Sequence, residues 1–158
     1  MLVVDTYNVL HVTGVLPPDL AGLEAPDLAE LVAASRWGRH HAVLVCDGTR
    51  PRGMRDAERG HVRVTYAGGG ASADAHIERL LEDSSHPRRM TVVSNDRAVQ
   101  RAARRRGAKV LGAEAFLRQL VTDAAAAPRR GRPAPRRDPG PLTPGQVDAW
   151  LRYFGLEP

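Results

Sequence analysis

The sequence holds a single cysteine, Cys46, so no internal disulfide framework can form and the chain fits a reducing compartment. No Cys-rich or His-rich ligand pattern is present, which argues against zinc. Phe, Trp and Tyr together make up only 4% of the residues, and no RNA-recognition aromatic motif is visible. Base stacking is therefore expected to be a minor term in any contact with nucleic acid. No apolar run approaches the roughly 18 residues a membrane span needs, so no membrane partner is expected. The opening Met1-Leu-Val-Val-Asp5 has neither a basic leader nor a small-residue cleavage site, which reads as a cytoplasmic protein without a signal peptide. No serine elbow appears, and the glycine run 68–70 is not followed by Gly-Lys-Ser/Thr, so it is no phosphate-binding loop. Cys46 lies inside an apolar run and reads as core.

What remains is a chain of 158 residues, 42% hydrophobic and 26% charged, which suits one soluble globular domain. The formal charge is +5. Residues 1–123 carry 17 basic and 15 acidic side chains, whereas residues 124–141 carry five arginines against one aspartate. The excess thus sits mostly in a connecting segment, and a polyanionic partner is favoured without being demanded.

Five short apolar runs read as strands: Leu2–Val4, Ala42–Cys46, Val62–Tyr66, Met90–Val93 and Lys109–Leu111. Helical stripes lie between them. Leu28, Leu31, Val32 and Ser35 form one; Ile77, Leu80 and Leu81 form another behind Ser72, an N-cap candidate. Asp96 is placed to cap a helix over 97–106 that Gly107 stops, and residues 114–120 make a fourth. Alternating strands and helices predict an α/β fold with a mostly parallel sheet covered on both faces. Residues 48–61, rich in Gly and Arg, read as a mobile loop. The expected organisation is a globular α/β domain over 1–123, a basic Pro/Arg/Ala-rich linker over 124–141, and an amphipathic helix over 142–158. That helix shows Val147, Trp150, Leu151 and Phe154 at helical spacing, and is expected to dock on the domain or on a partner.

Three acids stand at predicted strand ends, where open α/β sheets form their sites: Asp5, Asp47 and Asp96. A fourth, Asp74, falls in the first turn of the helix after the glycines. Carboxylates crowded together raise one another's pKa and destabilise the fold, and a divalent cation removes that cost. Mg²⁺ or Mn²⁺ suits such a donor set. Each acid also has a plainer role open to it. Asp5 can cap the loop after its strand, and Asn8 beside it can orient a ligand or hold a turn. Asp47-Gly48 is a common turn pair. Asp74 sits where a helix dipole welcomes an acid, and Asp96 is an N-cap. Glu78 shares a helix face with Asp74 and either serves as an outer-shell group or pairs with an arginine. His76 reads as exposed and structural.

Arg97, Arg101, Arg104 and Arg105 lie on or near one side of the helix that begins at Asp96, and Arg106 extends the cluster. A cation site flanked by such a stripe suits a phosphate backbone, although a solvated arginine face explains the stripe equally. Arg50, Arg52 and Arg55 follow Asp47 and can close over a strand. Arg129, Arg130, Arg132, Arg136 and Arg137 form a further contact region in the linker.

Together these residues carry a family likeness. Leu2-Val-Val-Asp5-Thr-Tyr-Asn8-Val-Leu-His11 resembles the "VDGYNVIH" opening of NYN domains, in particular the bacterial YacP-like group. Val64-Thr-Tyr-Ala-Gly-Gly-Gly-Ala-Ser-Ala-Asp74-Ala-His-Ile-Glu78-Arg-Leu resembles that group's glycine turn and following helix. Val92-Val-Ser-Asn-Asp96-Arg-Ala-Val-Gln-Arg-Ala-Ala resembles its later strand-to-helix passage, and Leu142-Thr-Pro with Trp150-Leu-Arg-Tyr-Phe154 its C-terminal helix. The resemblance implies a PIN-like three-layer fold with a five-stranded sheet ordered 3-2-1-4-5. It also implies Mg²⁺- or Mn²⁺-dependent endonucleolytic hydrolysis of RNA in decay or processing, with single-stranded RNA as the expected partner and a ribosome or RNA-decay factor as a further one. Asp5, Asp74 and Asp96 match the acidic site, with Asn8 and Asp47 close by. Thr6 replaces the usual Gly and is expected to tighten the mouth of the site; Asn95 stands where Ser is common; residues 12–27 look shortened.

Three other readings stay open on the residues. One is a non-catalytic RNA-binding module. Another is a phosphatase-like enzyme using Asp5 or Asp47-Gly-Thr49, which lacks a second acid because Tyr7 stands where it is needed. The last is a scaffold whose C-terminal helix binds a partner.

Overall fold

The computed structural model describes residues 1–16, 22–51 and 58–126. These belong to one compact unit, Met1–Pro128; a second unit, Arg129–Pro158, lies outside the described residues, as do most of the expected linker and the C-terminal helix.

The central runs, Leu2–Asp5, Ala42–Cys46 and Thr91–Val93, are largely buried on both sides, while Val62–Tyr66 and Lys109–Leu111 expose Arg63 and Lys109. Strands β1 (Leu2–Asp5), β2 (Ala42–Cys46), β4 (Val62–Tyr66), β5 (Thr91–Val93) and β6 (Lys109–Leu111) are parallel. Side chains alternate across the sheet. Leu2, Val4, Leu44, Cys46 and Val93 pack on one face against Leu28, Val32, Phe116, Leu117 and Leu120. Val3, Val45 and Val92 pack on the other against Ile77, Leu81, Val99 and Ala103. Helices α1 (Thr6–Leu10), α2 (Ala25–Ala34) and α5 (Ala113–Ala126) therefore cover the first face, and α3 (Ala73–Asp83) and α4 (Arg97–Arg105) the second. Strands buried on both faces read as continuous hydrophobic stretches rather than alternating ones.

The five parallel strands lie in the expected order, but the sheet has six strands, not five: β3-β4-β2-β1-β5-β6. The addition, β3 (Glu58–Arg59), pairs antiparallel with β4 through a tight turn at Gly60-His61, where Gly60 takes φ +61. It comes from the segment expected to be a loop. Its residues are charged and exposed, so no apolar signal marks it; Arg63 meets Glu58 at 2.7 Å and Arg59 meets Glu30 at 3.0 Å instead. Residues 52–57 lie outside the described residues.

The caps fall where the side chains direct. Ser72 accepts from the Ala75 amide, and Asp96 accepts from the amides of Ala98 and Val99. Gly107, at φ +77, ends the chain's run through α4. Helix α5 continues to Ala126, beyond the expected domain limit at 123. Asp123 on its last turns takes hydrogen bonds from the Arg36 backbone amide, Nε and Nη2, which fastens α5 to the 3₁₀ turn Arg36–Arg39 behind α2.

β1 occupies the switch point. The chain runs from it to β2 and β4 on one side, and to β5 and β6 on the other. The crevice beyond its carboxyl end is where an open α/β sheet offers a binding site. Asp5, Asp47 and the Ser94–Asp96 turn all border that crevice.

Candidate active site

Asp5 closes β1 and opens α1. It is 4% exposed, and its carboxylate accepts from the Asn8 amide at 3.3 Å and from Ser94 Oγ at 2.9 Å. Ser94 is fully buried at the end of β5. Its Oγ also accepts from the Asp96 amide at 2.9 Å, and its carbonyl accepts from Gln100 Nε2 at 2.8 Å. One serine thus links the acid of β1 to the acid that caps α4. Asp47, just past β2, accepts from the Ala73 amide at 2.8 Å and so holds the start of α3, which carries Asp74.

Asp5, Asn8, Asp47, Asp74 and Asp96 line one cleft of about 340 Å³, together with Tyr7 and His11. Burial pushes the Asp5 carboxyl above its ordinary range against the opposing bonds from Ser94 and Asn8, and the Asp47 and Asp96 charges push it further. Asp74 is also raised, first by burial and then by Asp5, Asp96, Asp47 and Glu78. The cleft is an acidic pocket under mutual repulsion.

Among the described residues, no three carboxylate, imidazole or thiol groups stand close enough to grip one ion directly. The donor set still fits a hard cation. It is made of oxygens, it repels itself, and the cleft has room for water. Mg²⁺ retains several waters and needs only one or two carboxylates.

Asn8 has a defined orientation. Its Oδ1 accepts from the Asn95 amide at 2.7 Å, which fixes the side chain against the β5–α4 turn. Asn95 is itself a junction. Its Oδ1 accepts from the Ala113 amide at 2.9 Å, and its Nδ2 donates to Glu114 Oε1 at 2.9 Å. The start of α5, the β5–α4 turn and α1 are therefore joined through this residue.

Several expectations need correction. Arg106 does not extend the arginine cluster: its Nε and Nη2 donate to the carbonyls of Leu81 and Glu82, capping the end of α3. Thr6 does not tighten the mouth of the site; it is fully buried, and its hydroxyl opposes the upward shift that burial gives the Cys46 thiol. His76 is half-buried rather than exposed, and burial with Arg79 nearby lowers its pKa. Arg97, Arg101, Arg104 and Arg105 are exposed along α4, with Arg104 donating to Gln100 at 3.2 Å. Glu78 is exposed on α3 and does not line the cleft. Arg50 lines a neighbouring groove of about 480 Å³ with Thr49, Thr65 and Tyr66. Arg52, Arg55 and the arginines of 129–137 lie outside the described residues. Sequence reading missed the roles of Ser94, Asn95, Glu114, Tyr7 and His11. Only the turn Ser94-Asn95 between a buried strand and a capped helix offered a signal.

The fold is a three-layer α/β domain with an acidic cleft at the carboxyl ends of its parallel strands. The sequence matches the YacP-like NYN domain over residues 2–132, and the chain belongs to that family. Among solved structures it is similar to Rae1 (YacP) from Bacillus subtilis, at 22% identity and a TM-score of 0.62, covering 80% of this chain and 76% of that one. A point mutant of the same Bacillus subtilis protein aligns at 22% identity and a TM-score of 0.58, covering 79% and 77%. No curated protein matches the sequence.

Proposed function

We propose that this chain is a divalent-metal-dependent endoribonuclease that hydrolyses phosphodiester bonds of single-stranded RNA. The observation that carries the reading is the convergence of Asp5, Asp47, Asp74 and Asp96 on one cleft at the sheet's switch point, with two of them raised by burial and mutual repulsion. The nuclease-type family supports it.

Asp5, Asp74 and Asp96 would hold one or two Mg²⁺ or Mn²⁺ ions, partly through the waters such ions retain, with Asp47 acting through water. Such an ion polarises a phosphate and lowers the pKa of its water. The chain supplies the rest. Asn8, held through its Oδ1 by the Asn95 amide, donates from Nδ2 to a phosphate oxygen. Arg97 and Arg101, on the first turns of the helix that Asp96 caps, hold flanking phosphates. Ser94 keeps Asp5 and the Asp96 backbone in register. The products are a 5′-phosphate and a 3′-hydroxyl, by analogy with the fold. A ribosome or an RNA-decay factor is a proposed partner that presents the RNA.

The test is cleavage of end-labelled single-stranded RNA in Mn²⁺ and in EDTA, by the wild type and by Asp96→Asn. Cleavage in Mn²⁺ alone, lost in the variant, is expected. The open spacing of the acids favours a second reading, a non-catalytic RNA-binding module. RNA bound tightly and left intact in Mn²⁺ would establish that reading instead.

A further inference from the structure

Aromatic side chains are few here, and their placement matters more than their number. Among the described residues Phe, Trp and Tyr occur four times: Tyr7, Trp37, Tyr66 and Phe116. Trp37 and Phe116 pack on each other, ring centroids 6.2 Å apart, and Phe116 is fully buried. Tyr66 lines the groove beside Arg50. Tyr7 lines the acid cleft itself, and so does His11.

Tyr7 and His11 stand four residues apart at the start and the C-cap of α1, hence on one face. Their rings are stacked, with centroids 6.1 Å apart and planes 19° from parallel. That spacing falls within the range of interacting aromatic pairs. Tyr7 is half-buried and packs against the core, so its ring is anchored. His11 is exposed, so the stack ends on a flat ring open to solvent at the rim of the cleft.

We propose that the stacked Tyr7–His11 pair is a nucleobase platform, on which the base neighbouring the phosphate in the acid cleft lies against the His11 imidazole. The proposal rests on the reading of the cleft as an RNA site and adds what sets the register there. Arginine contacts to phosphates are the same at every nucleotide and let a strand slide. A base stacked at a fixed distance from Asp5 and Asp74 presents one particular phosphodiester bond to the acids. Every base has a π-face, so the platform imposes position without strong sequence preference. His11 is a positioning residue in this scheme.

The experiment measures binding of the full chain, without divalent ions, to a short fluorescein-labelled single-stranded RNA and to copies in which one base at a time is removed. At one position the abasic strand should bind roughly tenfold more weakly, within the about 5- to 150-fold that stacking one base supports. His11→Ala should weaken binding of the intact strand by the same factor and add no further loss on that abasic strand. His11→Phe, which keeps a ring, should restore the dependence on the base. The proposal is overturned if no position shows a loss, if His11→Ala weakens every strand equally, or if RNA is not bound at all. Cleavage in Mn²⁺ is scored separately. Base dependence without cleavage keeps the platform and removes the nuclease reading; cleavage without base dependence does the reverse.

Discussion

Asp5 accepts two hydrogen bonds at the foot of α1 while facing three other carboxylates across the cleft. Burial is the larger influence, and its sign fixes the pH dependence. A carboxyl raised in the native state binds protons there more readily than in the unfolded chain. Its penalty is fully present above the raised value and disappears as pH falls below the ordinary 3.8. Asp5→Asn should therefore abolish cleavage and yet melt a few degrees higher than the wild type at neutral pH in EDTA. The gap between the two melting curves should close as the pH is taken below 3.8. A variant that melts lower at neutral pH would show that the bonds from Ser94 and Asn8 outweigh the repulsion. Metal should act in the opposite direction on the wild type. Saturating Mn²⁺ at about a hundred times its dissociation constant raises stability by about 2.7 kcal/mol, and calorimetry should find that gain missing in Asp5→Asn.

At the scale of elements, α4 shows how one residue carries two functions. Asp96 caps the helix and lines the cleft. Asp96→Ala should cost about 1 kcal/mol in urea denaturation through the lost cap. Asp96→Asn keeps a capping side chain, so it should unfold close to the wild type while losing cleavage. The arginine stripe on the same helix gives a second check. If Arg97 and Arg101 each hold a phosphate, the double alanine variant should lower the slope of log affinity against log salt by about 1.4 for single-stranded RNA. An unchanged slope would mark the stripe as a solvated face.

Elements also show what the sequence made legible. The central strands β1, β2 and β5 were readable because burial on both faces makes them apolar runs, and Ser72, Asp96 and Gly107 marked helix ends by chemistry local to the backbone. Helix α1 was not readable: five residues give little more than one turn, too short for a period to show. Strand β3 was hidden because its two residues are charged and exposed. The four acids of the cleft were legible as strand-end and helix-start aspartates. The groups that hold them were not, because Ser94 meets Asp5, and Asn95 meets Asn8, across most of the domain's sequence. Arg106 looked like its neighbours until the carbonyls of Leu81 and Glu82 placed it.

At the scale of the whole molecule, Gly38 has the least room of the glycines among the described residues. Gly38 sits in the 3₁₀ turn behind α2, and a Cβ there would overlap the backbone carbonyl of Ala33. Backbone cannot yield as a flexible side chain can. Gly38→Ala should cost about 1–3 kcal/mol, read as a lower urea midpoint, with RNA cleavage per folded molecule unchanged. Both borders of the sheet are short. β3 is two residues long, both charged, and β6 is three residues long with Lys109 its one charge, so neither edge offers a long template to a neighbouring strand.

Asn95 has a consequence for how the protein can be observed. Its side chain receives the Ala113 amide while its own amide is given to Asn8. One residue therefore couples α1, which borders the cleft, to the first turn of α5. Deuterium uptake at Ala113, on a helix that contributes no side chain to the cleft, becomes a remote gauge of whether the cleft is occupied.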